Sequence, residues 1–148
     1  MCLDSLKLRY YRSALIKTKR GNGRGKIINA KPIFLIALFD QIEKGAIKSN
    51  NILYDDCLKE CYEQYYLKFE PEMNITPFNK PFFYLQSDGY WHIEWENESH
   101  IKSPTAKYLR ENVKYATLDN DLWELLQNPK SLNVLREAII RYFMQKIK

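Results

Sequence analysis

Residues 31–45 read Lys31-Pro32-Ile33-Phe34-Leu35-Ile36-Ala37-Leu38-Phe39-Asp40-Gln41-Ile42-Glu43-Lys44-Gly45. Pro32 suits a helix start, because the N–H it lacks is one that a first turn leaves unpaired anyway. Gly45 suits the stop. From Ile33 to Lys44 the apolar positions nearly surround the expected helix, which places it in the centre of a core. The apolar run Pro32 to Phe39 is bounded by Lys31 and Asp40. It is far shorter than the roughly 18 residues of a membrane helix. A helix buried all round must be wrapped by other elements.

The flanking segments supply them. Asp4 is a cap for a helix over residues 4–18, with Leu6, Tyr10, Leu15 and Ile16 apolar. Asp55 caps a helix from Asp56 to Phe69, with Leu58, Tyr62, Tyr65 and Phe69 as its stripe. Thr105 to Asn112 and Asp119 to Gln127 read as short helices, the second turning Leu122, Leu125 and Leu126 inward. Asn128-Pro129 breaks the pattern, and Ser131 caps a last helix with Leu132, Leu135, Ile139 and Phe143 in register. Ile47 and Ile52-Leu53-Tyr54 read as short extended pieces.

The clearest β signal is Phe82-Phe83-Tyr84-Leu85-Gln86 and Tyr90-Trp91-His92-Ile93-Glu94-Trp95 around the turn sequence Ser87-Asp88-Gly89. Gly89 supplies a positive φ there. Trp91, Ile93 and Trp95 share one face of the second strand and, with Phe82, face the core; Tyr90, His92 and Glu94 share the other. Tyr84, Tyr90 and His92 are then the exposed candidates for ligand contact. The expected fold is one α+β domain over residues 1–148, mainly helical, with about five to six helices and one β-hairpin, compatible with a winged-helix-like arrangement.

Composition agrees with a folded domain. The chain has 148 residues, 45% apolar and 28% charged, which excludes a wholly disordered protein. Its first twenty residues carry Asp4, Lys7, Arg9, Arg12, Lys17, Lys19 and Arg20, so no signal-peptide core is present there. The expected setting is cytoplasmic, with no membrane partner. Cys2, Cys57 and Cys61 are then reduced thiols. Cys57 and Cys61 share a helix face, but His92 and His100 are the only histidines and no second cysteine pair completes a four-ligand site. No metal or cofactor is expected.

Charge is unevenly placed. Residues 1–31 hold nine Lys/Arg against one acid, net +8, whereas residues 32–148 hold fourteen against seventeen, net −3. The basic character peaks between Lys17 and Lys26, where three glycines punctuate the cations and no acid occurs. Residues 17–31 therefore read as a flexible basic loop. Cations on long stems can follow phosphates without fixed geometry, and Lys17, Lys19, Arg20, Arg24, Lys26 and Lys31 are the candidate phosphate contacts. A phosphate-cradling P-loop does not fit: only three residues separate Gly21 from Gly25, and Ile27 follows Lys26 where a hydroxyl should hold magnesium. The cations Arg136, Arg141, Lys146 and Lys148 suit a helix C-terminus. Asp88 and Glu94 have the look of a metal-dependent nuclease pair, but Glu96 stands where that chemistry needs a lysine. His100 lies in a polar loop, and no Ser/His/Asp or Cys/His catalytic set is evident.

Several segments together resemble one family. Residues 31–40, continued by Glu43-Lys44-Gly45, are similar to the "KPLLLLALLD" segment in the N-terminal domain of bacterial HNH restriction endonucleases. Residues 81–91, from Pro81 to Trp91, are similar to its "PFFxLxxDGxW" segment. Tyr115-Ala116-Thr117-Leu118-Asp119 with Leu122, then Leu135-Arg136 and Tyr142-Phe143, match its closing elements. The resemblance runs from about residue 10 to 143 and includes no HNH nuclease core. Ala30 and Lys80 stand where that family usually has His and often has Tyr.

The resemblance implies a module that reads double-stranded DNA, related to sulfur-binding domains that recognise phosphorothioate backbones through a proline and nearby apolar atoms. Pro81 is the matching proline. Lys80, Pro81, Tyr84, Tyr90 and His92 become the candidate recognition residues. Cleavage would come from a nuclease partner, and a homodimer is a second arrangement open to it. Two other readings stand beside this one. The first is a protein-interaction subunit of a restriction or defence system that docks through the aromatic hairpin. The second is a metal-dependent nuclease using Asp88 and Glu94.

Overall fold

The structure is a computed structural model that describes residues 3–23, 25–96 and 104–144. Helix α1 (Leu3–Ile16) leads into a short antiparallel hairpin, β1 (Gly21–Gly23) and β2 (Lys26–Ile28). Helices α2 (Ala30–Glu43) and α3 (Asp56–Phe69) follow. Next come α4 (Asn79–Tyr84), a 3-10 turn over Leu85–Asp88, and strand β3 (Trp91–Trp95). Helix α5 (Ala106–Asn112) runs directly into β4 (Val113–Leu118). Helices α6 (Asn120–Leu126) and α7 (Pro129–Ile139) follow, and a π-helical turn continues α7 over Ile140–Met144. The protein is thus a mixed α+β fold, mainly helical.

Helix α2 is the axis. Twelve of its fourteen residues are buried, and α3, α4, α6 and α7 pack against it. Gly45 ends it with φ +80°, a conformation that costs glycine little. Helix α3 spans the expected residues, and its cap Asp55 accepts the N–H of Leu58 at 3.0 Å. Phe34 of α2 meets Trp91 of β3 edge-to-face with ring centroids 5.4 Å apart, and Phe82 of α4 at 6.0 Å. The indole Nε1 of Trp91 donates to the Phe82 carbonyl at 2.7 Å, which ties β3 to α4. Trp91 and Phe82 are fully buried, and Ile93 and Trp95 follow on the same face, as expected.

The aromatic hairpin is not formed. Phe82 and Leu85 are both fully buried, a spacing of three that a helix satisfies and strand alternation does not. Residues 79–88 are accordingly helical, and Gly89 closes the turn at φ +94°. The positive φ expected of Gly89 is there, but at the end of a 3-10 turn. Strand β3 pairs instead with β4, with Trp91 opposite Leu118 and Ile93 opposite Ala116, and Ile52 bridges Ala116 from the other edge.

The hairpin lies in the stretch expected to be a loop. Gly21 pairs with Ile28 and Gly23 with Lys26, leaving a two-residue connection in which Gly25 takes φ +78°. Within residues 17–31, only the rest of the stretch is irregular, and Ala30 and Lys31 already belong to α2. The last helix is also capped differently: Asn128 Oδ1 accepts the N–H of Lys130 at 2.8 Å, Pro129 takes the first turn, and Ser131 sits inside the helix. Among the described residues no helix is long and apolar enough to cross a membrane.

Candidate functional site

Helix α4 carries Pro81 in its first turn, where a missing N–H costs no helical bond. Pro81 lines a cleft of about 430 Å³. Ile28 of β2 and Ala30 of α2 add further apolar lining. Arg20, Lys31, Lys80 and Tyr84 also line the cleft, and neither Asp nor Glu does. Three stretches of sequence therefore converge: residues 20–31, which run from the base of the basic hairpin into the start of α2, Thr76, and residues 80–87 of α4 and the turn after it. Five candidate residues, Arg20, Lys31, Lys80, Pro81 and Tyr84, share this one site.

The cations differ in what holds them. The guanidinium of Arg20 lies 5.1 Å above the Phe143 ring, and its Nη1 donates to Asn29 Oδ1 at 3.4 Å. Asn29 in turn donates to the buried Glu70 at 2.9 Å. Lys31 is committed further: its Nζ is 2.9 Å from Asp88 Oδ2 and 3.3 Å from Ser87 Oγ. Asp88 also accepts the backbone N–H of Lys19 at 2.9 Å. Among the described residues no ion pair involves Lys17, Lys19, Arg20, Lys26 or Lys80. Lys17, Lys19 and Lys26 are exposed around the hairpin. Arg24, Lys146, Lys148, His100 and Cys2 lie outside the described residues.

Two recognition candidates do not join the cleft. Tyr90 is buried, and its hydroxyl is hydrogen-bonded to that of Thr18. Burial pushes its phenol well above the ordinary range. Tyr90 precedes the first residue of β3, so the expected strand alternation does not govern it, and its polar tip anchors the segment after α1. His92 is exposed as expected, but its Nε2 lies 2.6 Å from Asp119 Oδ1 rather than at the cleft. Asp119 also accepts the Tyr11 hydroxyl at 2.8 Å. The aromatic hairpin on which the protein-interaction reading placed its docking surface is not formed.

Among the described residues the thiols and carboxylates form no assembled catalytic set. Cys57 is exposed and lies 3.2 Å from Gln41 Oε1. Cys61 is buried beside Asp40, at 3.5 Å from its Oδ2, and burial together with that carboxylate pushes its pKa up to about 11. Asp40 is itself buried and satisfied by Tyr65 at 3.2 Å and Lys44 at 3.1 Å. Among the described residues no group of three or more His, Cys, Asp or Glu is placed to hold a metal ion. Asp88 is occupied by Lys31 and Lys19, and Glu94 projects from the exposed side of β3.

Sequence reasoning missed the lining residues Ile28, Thr76 and Ser87. No local pattern marks them, since each matters only through the convergence of three segments. Neither a family model nor a curated protein matches this chain.

Proposed function

We propose that this protein is a DNA-binding recognition module that seats one backbone phosphate group in the Pro81 cleft. The observation that carries the reading is the cleft itself: apolar lining from Ile28, Ala30 and Pro81 together with Arg20, Lys31 and Lys80, and no acid. Cations on long stems supply the sequence-independent part of DNA affinity. The exposed Lys17, Lys19 and Lys26 around the neighbouring hairpin extend the same charge. An apolar lining penalises a strongly hydrated phosphate oxygen, which must give up water without gaining a donor. Sulfur in that position is larger and less tightly hydrated, so the cleft favours a phosphorothioate over a plain phosphate. A separate nuclease would then supply cleavage.

The test is fluorescence anisotropy of a labelled duplex, plain and singly phosphorothioated, across a salt series without divalent metal. The expected result is steeply salt-dependent binding that is tighter for the modified duplex. Pro81→Ala should erase the preference, and Lys80→Ala should weaken both duplexes alike. No binding at low salt would remove the reading. Binding without preference would keep the DNA module and remove the sulfur specificity.

A further inference from the structure

The Pro81 cleft shares Arg20 and Gly21 with a second depression, also of about 430 Å³. Lys17, Ile27, Tyr142 and Phe143 help to line it, and again no acid does. Two large side chains flank it in the open: Tyr142 is 58% exposed and Ile27 52%. Arg20 sits between the two depressions with its guanidinium held over the Phe143 ring. A single cation, with no carboxylate partner among the described residues, is thus fixed where it can serve both.

An exposed ring, Tyr142, beside Lys17 and Arg20, which form no ion pair among the described residues, matches the two halves of a nucleotide, a flat base and a charged phosphate. We propose that the second depression seats the nucleotide next to the one whose backbone group occupies the Pro81 cleft, its phosphate on Lys17 and Arg20 and its base against Tyr142 and Ile27. The proposal rests on the DNA-binding reading above. A paired base is stacked inside the duplex and offers its face to a protein ring only at the cost of unstacking. The preferred ligand is therefore a strand with an unpaired nucleotide at this position, such as a duplex with a single-stranded extension.

The test walks one abasic position along the extension of such a duplex and measures anisotropy with wild type, Lys17→Ala, Tyr142→Ala and Tyr142→Trp. Tyr142 is largely exposed, so its replacement should leave the fold intact. Wild type should lose roughly 5- to 150-fold in affinity at one position, the effect of removing one base–aromatic stack. Tyr142→Ala should bind more weakly and no longer respond to that position, whereas Tyr142→Trp should still respond. Lys17→Ala should weaken every probe and keep the abasic response. If wild type binds the probes but no abasic position matters, or Tyr142→Ala responds as wild type does, the proposal is overturned while the DNA reading stands. If wild type binds no probe at low salt, the DNA reading itself fails and takes the proposal with it.

Discussion

Lys31 Nζ sits 2.9 Å from Asp88 Oδ2, and their side chains are only 14% and 4% exposed. The pair joins the first turn of α2 to the 3-10 turn after α4, and its Lys31 lines the Pro81 cleft. The second oxygen of Asp88 takes the Lys19 N–H, so one carboxylate fixes three segments that build the site. A lysine whose charge is already matched in this way should be a weaker phosphate contact than its neighbours. Asp88→Ala leaves a nearly buried ammonium without its partner. The expected loss is about 3 kcal/mol, in the range for breaking a buried pair. Asp88→Asn keeps an acceptor for the Lys19 N–H and should cost less. Urea midpoints of the two variants check the order.

Lys17, Lys19, Lys26 and Lys80, which form no ion pair among the described residues, should behave differently. Replacing Lys17, Lys19, Lys26 or Lys80 singly by Ala should reduce the salt slope of duplex binding by about 0.9 for each phosphate no longer neutralised. Lys31→Met should change that slope less than any of them, while lowering stability more. Salt titrations of the five variants, paired with their denaturation curves, separate the two kinds of lysine. Equal slopes for Lys80→Ala and wild type would remove Lys80 from the phosphate-binding residues.

The helices were legible because their signals are local. Asp55 with the Leu58–Tyr62–Phe69 stripe, and the apolar run between Pro32 and Gly45, gave two central helices within a few residues of their ends. The segment Pro81 to Gln86 misled because Phe and Tyr favour strands on average. The burial of Phe82 against Phe34 and Trp91, with Leu85 buried in the same core, decides it as helix, and that is a tertiary fact. The true partner of β3 is β4, whose Val113-Lys114-Tyr115-Ala116-Thr117-Leu118 alternates only weakly in burial. The site was half legible. Pro81 and the basic segment were visible as residues, but their meeting in one cleft depends on how α4 packs beside the hairpin.

The two described thiols should differ sharply in reactivity. Cys57 is exposed, whereas Cys61 is buried next to Asp40 with its pKa pushed up to about 11. In a Cys2→Ser background, a disulfide reagent near pH 8 should modify one thiol quickly and the second only as fast as the protein opens. The same shift links to stability. The unfolded thiol ionises first as pH rises, so the contribution of Cys61 is complete below about 8.5 and is lost as the pH climbs toward the folded value. Cys61→Ala should show a shallower loss of stability with alkaline pH, read from denaturation midpoints across that window.

Tyr90 gives the sharpest separation between structure and binding. Its ring is buried, and its hydroxyl is bonded to that of Thr18 at the exit of α1. Tyr90→Phe removes the bond, keeps the ring, and leaves the buried Thr18 hydroxyl without that partner. The expected cost is about 1–3 kcal/mol of folding stability. Thr18→Val in the Tyr90→Phe background should recover part of it, because both polar groups are then gone. Duplex affinity, measured well below the melting temperature, should stay at the wild-type value, since the hydroxyl never reaches the surface. A fall in affinity at unchanged stability would place Tyr90 at the DNA after all.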